Sequence, residues 1–328
     1  MRFGFLSVFA FLAILPVSAQ EGLPVVESSK GALNDRQTPV EASPSANGQL
    51  STPASAIPGA TSIVPASSFF GGVGIGSAIT TFGSQYVYNK GTSEIYKNGV
   101  LTSTGVADGP AIPDPYLPSA SNVVPAGQFG YFSKFKGSSW LWGAKLQYAY
   151  LGTSSDPQVL AIPQYGTSTN QNNSSFSGTS FNTYSIKAGS QFALMPFIGK
   201  AFNRGYFYGG AGIALTQVRT SLNDVVGYAT IDGVNTNISG ASQNFSSSQW
   251  AYGVAATAGI TYFISSKIFL DLSYTYSRPN TSDLSASDAP FSNPSSNPSD
   301  PSYYGTLNGT ATSNLQTNVI LLTINARF

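Results

Sequence analysis

The chain carries few side chains that could do chemistry, because its 328 residues include no histidine and no cysteine. Disulfides and thiolate metal sites are therefore excluded, and acid–base catalysis would fall to carboxylates or lysines with shifted pKa values. No clustered pair of carboxylates or lysines occurs in the strand-like segments described below, and a serine–lysine arrangement is only formally possible. We therefore expect no enzymatic activity, no cofactor and no metal site.

Four charged side chains, accompanied by two glutamines, stand inside otherwise apolar or small-residue segments. They are Lys134, Lys145, Gln147, Lys187, Gln191 and Asp271. In each segment they alternate with apolar residues, and a period of two is the pattern of a β-strand with two different faces. Because an unpaired charge in a narrow interior is costly, we expect an inward polar network in which Asp271 pairs with Lys145 or Lys187.

Nucleotide and nucleic-acid binding find no support in the sequence. Gly72, Gly74 and Gly76 are spaced as in a glycine-rich nucleotide loop, but no helix and no lysine follow them in the way that such a loop requires. We interpret them as small residues on the inward face of a strand. Basic and acidic residues are nearly balanced, 15 against 14, so the chain lacks the basic field of a nucleic-acid-binding protein.

The elements that must position these side chains are eight strand-like segments. They cover residues 69–79, 127–136, 140–151, 182–194, 205–218, 250–263, 267–277 and 316–328. Most are close to the roughly 9–11 residues of a tilted transmembrane strand. Short turns at residues 137–139, 200–204 and 264–266 alternate with long polar segments, among them 80–126 and 278–313. This alternation is typical of an antiparallel up-and-down membrane barrel.

Aromatic residues stand at the ends of the apolar rows of several segments. They are Trp140, Trp142, Tyr148, Tyr150, Trp250, Tyr252, Tyr262, Tyr274 and Tyr276. Aromatic side chains on both sides of an apolar band form the interfacial girdles of membrane barrels. A soluble eight-stranded barrel such as a lipocalin would turn its apolar face inward around a ligand. That alternative explains neither the alternating connections nor the terminal strand.

The last strand presents an apolar row that ends on the terminal residue. The row comprises Ile320, Leu322, Ile324, Ala326 and Phe328. It resembles the C-terminal signal that the assembly machinery of bacterial outer-membrane barrels recognises. With the strand pattern, it makes residues 69–328 similar to the small eight-stranded outer-membrane families of OmpA-type, OmpX-type and opacity-like surface proteins. The resemblance implies an all-β, eight-stranded, antiparallel up-and-down transmembrane β-barrel.

The residues before the barrel predict export to the periplasm. Residues 1–19 combine Arg2, an apolar core and a small-residue cleavage site, as a secretory signal peptide does. Residues 20–67 are rich in Pro, Ser and Ala without periodicity, which predicts a disordered periplasmic linker. Residues 68–328 form the predicted barrel. The linker contains no recognisable peptidoglycan-binding domain, so no wall-anchoring role is inferred.

The predicted function is structural or an adhesin-like surface interaction, carried by long loops outside the outer membrane. Known enzymes on comparable barrels use a histidine, which this chain lacks. The alternative is a small porin with a narrow, cation-lined, anion-preferring channel, but eight strands leave an interior only just wide enough for side chains. Expected partners are outer-membrane lipids and lipopolysaccharide, the assembly machinery and a host or surface ligand at the loops. We expect a monomer that binds no nucleic acid.

Overall fold

The computed structural model describes residues 63–169, 175–231, 234–280, 282–285 and 289–328. The predicted signal peptide lies outside these ranges, as does the predicted linker except for residues 63–67. Every regular element in the described ranges is a β-strand, and every strand pairing is antiparallel. In the same ranges, no helix is long and apolar enough to cross a membrane.

Seventeen strands follow one another along the described residues, and eight of them close a ring. The strands are β1 (Ser67–Thr81), β2 (Gly83–Ser84), β3 (Tyr86–Lys97), β4 (Val100–Pro110), β5 (Tyr116–Leu117), β6 (Ala120–Lys134), β7 (Trp140–Ser154), β8 (Gln158–Thr169), β9 (Ser175–Phe202), β10 (Gly205–Ile231), β11 (Val234–Asn237), β12 (Gln243–Phe263), β13 (Ile268–Pro279), β14 (Ser282–Ser285), β15 (Ala289–Asn293), β16 (Ser302–Ser313) and β17 (Gln316–Arg327). The ring runs β1, β6, β7, β9, β10, β12, β13, β17 and back to β1. A closed ring satisfies the backbone hydrogen bonds of its strands without leaving a free edge.

The two ends of the ring are built differently. Each of the eight predicted segments overlaps one ring strand, so the predicted number and order of these strands are confirmed. Short turns join β6 to β7, β9 to β10 and β12 to β13 at one end, which we call the turn end. The last residue lies at this end too, where the Phe328 N–H donates to the Phe69 carbonyl (3.1 Å). The long connections all lie at the opposite, distal end.

The long polar segments are not the loops that the sequence predicts, because they fold largely as strands. β8 pairs with the outer part of β9, β4 with β8, β3 with β4 and β16 with β3, while β14 and β15 both pair with β16. We call these six strands the distal sheet. Their Ser, Thr, Asn and Gly content concealed an alternation in which Val87, Leu160, Ile162, Tyr303 and Leu307 are buried.

Buried side chains form a cluster at each end of the ring. At the turn end the cluster is mostly aromatic and contains Phe70, Phe132, Phe197, Tyr206, Tyr208, Phe263 and Phe269. At the distal end, the distal sheet and the outer parts of β9 and β10 enclose a larger cluster, which includes Val87, Ile162, Tyr184, Leu222 and Leu307. Burial of apolar surface stabilises a fold at about 25 cal/mol per Å². The distal sheet therefore shares a core with the distal ends of the ring strands, which contribute Ala78, Val124, Leu151 and Val319 to the same cluster.

Candidate functional site

A polar layer crosses the lumen of the ring, centred on Asp271 of β13 and Lys145 of β7. Lys145 Nζ lies 3.7 Å from Asp271 Oδ2, and both side chains are almost fully buried. Tyr208 connects them, because Lys145 Nζ donates to its hydroxyl (2.8 Å) and that hydroxyl donates to Asp271 Oδ2 (3.0 Å). Thr261 Oγ1 and Gln128 Nε2 also donate to the carboxylate, at 2.9 and 3.2 Å. The carboxylate thus accepts three hydrogen bonds and faces one cation.

This polar layer balances the charge inside the ring. A carboxylate or ammonium removed from water costs several kcal/mol, and only a counter-charge with good hydrogen bonds offsets that cost. Across the described residues, Lys145 with Asp271 is the single ion pair with a nitrogen–oxygen distance within 4.0 Å. Chemically, the arrangement is a hydrogen-bond network that ties together strands from opposite sides of the ring. Gln128 Oε1 is buried in it without a hydrogen-bond partner among the described residues.

The other inward residues predicted from the sequence lie at different levels of the lumen. Gln147 is buried two residues along β7 from Lys145. Gln191 lies nearer the distal end, where its Nε2 donates to Ser277 Oγ (2.8 Å) in a second polar layer. Lys134 lies at the turn end, where its Nζ donates to the Val64 carbonyl (2.8 Å). None of these three donates to Asp271.

Lys187 does not face the lumen, and that prediction is wrong. β9 carries a bulge at Gly189 and Ser190, which together stand opposite Gln217 of β10, and the register of β9 with β7 shifts next to it. Beyond the bulge the alternation is reversed, so Ala188 is buried and Lys187 is exposed. A bulge inserts residues into one strand and re-aims the side chains that follow. The strict period of two assumed from the sequence fails at this point.

Side chains fill the lumen on both sides of the polar layer. Toward the turn end, the aromatic cluster packs closely, with ring centroids of Phe263 and Phe269 4.9 Å apart and those of Phe132 and Tyr206 5.3 Å apart. Toward the distal end, the next level is a small apolar cluster of Ala193, Met195, Ala214 and Ala255. The second polar layer and the distal cluster follow. The lumen is therefore a packed interior.

The inward aromatic residues were missed by the sequence analysis, although a signal for them existed. Tyr206 and Tyr208 are buried while Phe207 between them is exposed. The same alternation that places Lys145 inward would have placed both tyrosines inward. Tyr208 matters most, because it links the two charges of the polar layer.

The predicted aromatic girdle lies on the outer face of the ring. Its exposed members are Trp140, Trp142, Tyr148, Tyr150, Trp250, Tyr252, Tyr262 and Tyr274, while Tyr276 is half-buried. On the distal side, Phe192 joins Tyr148 and Trp250 in an aromatic row, at centroid distances of 5.0 and 5.8 Å. On the turn side, Tyr131 lies 4.8 Å from Phe69 and 5.8 Å from Trp142. Aromatic rows thus border both rims.

The predicted assembly residues lie on the same outer face. Ile320, Leu322, Ile324 and Ala326 are exposed along β17, and Phe328, which follows the strand, is exposed as well. The Phe328 ring lies 6.1 Å from the Phe129 ring, centroid to centroid, on the turn-side rim. The terminal row therefore continues the apolar band of the ring.

A groove lies at the tip of the distal sheet, next to the turn between β3 and β4. Glu94, Tyr96, Asn98, Pro298 and Tyr304 line it, and its volume is about 470 Å³. The Tyr96 and Tyr304 rings meet edge to face, with centroids 5.6 Å apart. The Tyr96 hydroxyl donates to Glu94 Oε2 (3.2 Å), and this bond raises the pKa of Tyr96. The groove combines aromatic faces with a carboxylate and an amide.

Comparisons with known proteins return outer-membrane proteins among solved structures, whereas no family model and no curated protein match the sequence. The chain is similar to Ail, the attachment invasion locus protein of Yersinia pestis, at 10% identity and TM-score 0.30, over 76% of this chain and 99% of that one. It is similar to the outer membrane protein OprG from Pseudomonas aeruginosa at 13% identity and TM-score 0.31, over 80% and 96%. Neisserial surface protein A matches at 10% identity and TM-score 0.28, over 74% and 97%.

The outer membrane protease OmpT from Escherichia coli also matches, at 10% identity and TM-score 0.20, over 78% of this chain and 97% of that one. Similarities this low carry no argument about activity, substrate or partner, which must come from the geometry of this chain.

Proposed function

We propose that the protein is an integral outer-membrane β-barrel of a Gram-negative bacterium that has no enzymatic activity and presents the distal sheet at the cell surface. Its role is structural or an adhesin-like surface interaction. The observation that carries the proposal is an apolar outer face around a lumen filled by side chains. The signal peptide of residues 1–19 would be cleaved, and the linker of residues 20–67 would stay in the periplasm. The assembly machinery would insert the monomer among lipids and lipopolysaccharide.

The outer face supports a lipid environment. Ile213, Val254 and Ile324 are 60%, 65% and 52% exposed, and they belong to a band that continues around the ring. Soluble monomers rarely expose contiguous apolar patches beyond a few hundred Å². A bilayer would bury this band, and the aromatic rows at both rims match the girdles of membrane barrels.

The filled lumen supports a plug rather than a channel. The charge of Lys145 is balanced by Asp271, Lys187 is on the outside, and Lys134 donates to a backbone carbonyl at the turn end. The cation-lined path of an anion-preferring porin therefore finds no continuous row of cations. An ion would also have to pass the aromatic cluster, where it would lose its hydration shell without gaining polar ligands.

The different construction of the two ends supports an orientation. Short turns are periplasmic and long connections extracellular in outer-membrane barrels. The turn end, with both the start of β1 and the last residue, would then face the periplasm, and the distal sheet would face outward. Segments displayed by a rigid scaffold are where binding usually occurs. The groove at Glu94, Tyr96 and Tyr304 lies there and offers a contact surface for a partner.

Single-channel recording in planar bilayers tests the plug against the porin. We expect the folded wild-type protein to produce no stepwise conductance under conditions in which a known porin does. Reproducible steps with anion preference would contradict the proposal and support the channel instead.

Cell binding tests the surface role. Bacteria that express the Tyr96→Ala/Tyr304→Ala variant should bind host cells less than bacteria that express the wild type. Tyr165→Ala is a matched control, because Tyr165 is an exposed tyrosine of the distal sheet outside the groove. Equal binding by wild-type and protein-free bacteria would contradict an adhesin-like role and leave the structural one.

A further inference from the structure

Two basic side chains lie directly opposite one another on the outer face of the ring, near its distal end. Arg219 of β10 is the cross-strand partner of Lys187 of β9, and both are exposed. Like charges in directly opposite positions of a sheet are destabilising. In the described ranges neither has a carboxylate within 4.0 Å, since the one ion pair at that distance is Lys145 with Asp271. We call Lys187 and Arg219 the basic pair.

The cross-strand neighbours of the basic pair are polar and uncharged. Ser154 of β7 stands opposite Lys187, and Ser248 of β12 stands opposite Arg219. Arg219 Nη2 also donates to Ser246 Oγ, at the long distance of 3.5 Å. An anion that approached the pair would therefore meet two cations flanked by hydroxyl groups, with no acidic residue in these cross-strand positions.

The bulge of β9 creates the basic pair. Without the reversal at Gly189 and Ser190, Lys187 would point into the lumen instead of toward Arg219. A Cβ at Gly189 would contact only the flexible Gln217 side chain, with Oε1 at 2.8 Å, so the bulge depends on strand register and not on glycine. Bulges commonly re-aim a side chain at functional sites. Here the effect is to bring a second cation to the outer face.

The basic pair stands just beyond the distal aromatic row. Trp250 of that row is the cross-strand partner of Gln217, which is two residues before Arg219 along β10. Two residues of a strand span about 7 Å. Aromatic girdles lie at the level of lipid headgroups. The pair is therefore at the height of the headgroups, with the apolar band directly below it.

We propose that Lys187 and Arg219 bind a phosphate group in the headgroup of an outer-leaflet lipid. The inference rests on the proposed insertion of the ring with its distal end outward. A guanidinium donates two parallel hydrogen bonds to a phosphate, and the lysine ammonium adds a second charge. A bound phosphate would offset the repulsion between the two cations, because each of them attracts it. The adjoining apolar band favours a lipid over a free phosphate, because it would contact the acyl chains of the same molecule.

The test measures binding of bis-phosphorylated lipid A to the purified full-length protein in neutral detergent micelles. We expect the wild type to bind this lipid at least about tenfold more tightly than dephosphorylated lipid A, a difference of about 1.4 kcal/mol. The thermal unfolding midpoint should rise with the phosphorylated lipid. Millimolar inorganic phosphate should not reproduce the rise.

Substitutions distinguish binding at the basic pair from a general effect of positive charge on the protein. Lys187→Gln and Arg219→Gln should each reduce the preference for the phosphorylated lipid several-fold, and the double variant should abolish it. Lys200→Gln is the matched control, because Lys200 is an exposed lysine of the same strand at the turn end. It should leave the preference unchanged.

Three results would overturn the lipid site: an undiminished preference in the double variant, an equal loss in Lys200→Gln, or a full shift with inorganic phosphate. Insertion of the wild type into lipid vesicles is scored separately. A protein that inserts but shows no preference contradicts this site alone. A protein that folds but does not insert contradicts the proposed function as well.

Discussion

Asp271 is the residue on which the polar layer depends. Its carboxylate accepts hydrogen bonds from Tyr208, Thr261 and Gln128 and faces Lys145 across 3.7 Å. A buried ion pair adds little stability relative to well-packed apolar residues, yet breaking it by removing one partner is costly. We therefore infer that the layer contributes mainly to specificity: other arrangements of the lumen side chains would leave a buried charge unpaired and would be higher in free energy.

Asp271→Asn should lower the free energy of unfolding by about 3–5 kcal/mol, because it leaves Lys145 buried without a counter-charge. Urea unfolding of the refolded protein in micelles measures the change. Adding Lys145→Met should recover most of the loss, since the unpaired charge is then gone. Adding Lys187→Met should recover none, since Lys187 is exposed. Recovery through Lys187 alone would refute the pairing with Lys145.

At the scale of elements, the seam between β1 and β17 depends on glycines. Gly72, Gly74 and Gly76 lie along β1, and a Cβ at Gly74 would stand 2.2 Å from the Leu322 carbonyl oxygen. At Gly76 the corresponding distance to the Ile320 carbonyl oxygen would be 1.8 Å. The spacing that is similar to a nucleotide loop thus permits a close approach of two strands, which is a known reason for glycine inside a sheet.

Gly74→Ala should destabilise the ring at this seam, because the added methyl group forces β17 away from β1. Overpacking of this kind costs about 1–3 kcal/mol, and the midpoint of urea unfolding should fall accordingly. Gly209→Ala on β10 is the control, because its Cβ would have no neighbour nearer than 3.9 Å. Equal unfolding midpoints for the Gly74→Ala variant and the wild type would mean that β1 and β17 can move apart without a loss of stability.

At the scale of the whole molecule, the ring and the distal sheet form a continuous antiparallel structure. β9 and β10 run from the turn end through the ring into the distal region, where β9 pairs with β8. The lumen is packed from the aromatic cluster at one end to the distal cluster at the other. This packing supports the proposed surface role over the alternative of a channel through the centre of the ring.

Protease treatment of intact cells should cut the protein in residues 294–301, the mostly exposed connection between β15 and β16. The turn at residues 137–139 should be spared, because it would face the periplasm. The fragments can be identified by mass spectrometry. Cells with a permeabilised outer membrane serve as the control, and there the linker should be cut as well. Cleavage confined to the short turns or the linker in intact cells would reverse the proposed topology.

Much of the ring was predictable because side chains alternate between the two faces of a strand, so the local sequence shows which residues share a face. The row from Trp250 to Tyr262 and the inward position of Lys145 follow from a period of two that needs no knowledge of neighbouring strands. The alternation of short and long connections likewise gave the number and order of the ring strands. The distal sheet was missed, because its polar outward residues resemble those of loops.

The sequence by itself determined the eight ring strands, the faces of the residues outside the β9 bulge and the apolar terminal row, since each depends on residues close together in the chain. Only the tertiary structure decided the partner of Asp271, because β7 and β13 stand four positions apart in a ring of eight and meet across the lumen. It also decided the face of Lys187, since the bulge at Gly189 and Ser190 arises from the register of β9 with β7 and β10. Contacts across a closed ring depend on the register of its strands relative to one another. The sequence of a single strand does not specify that register.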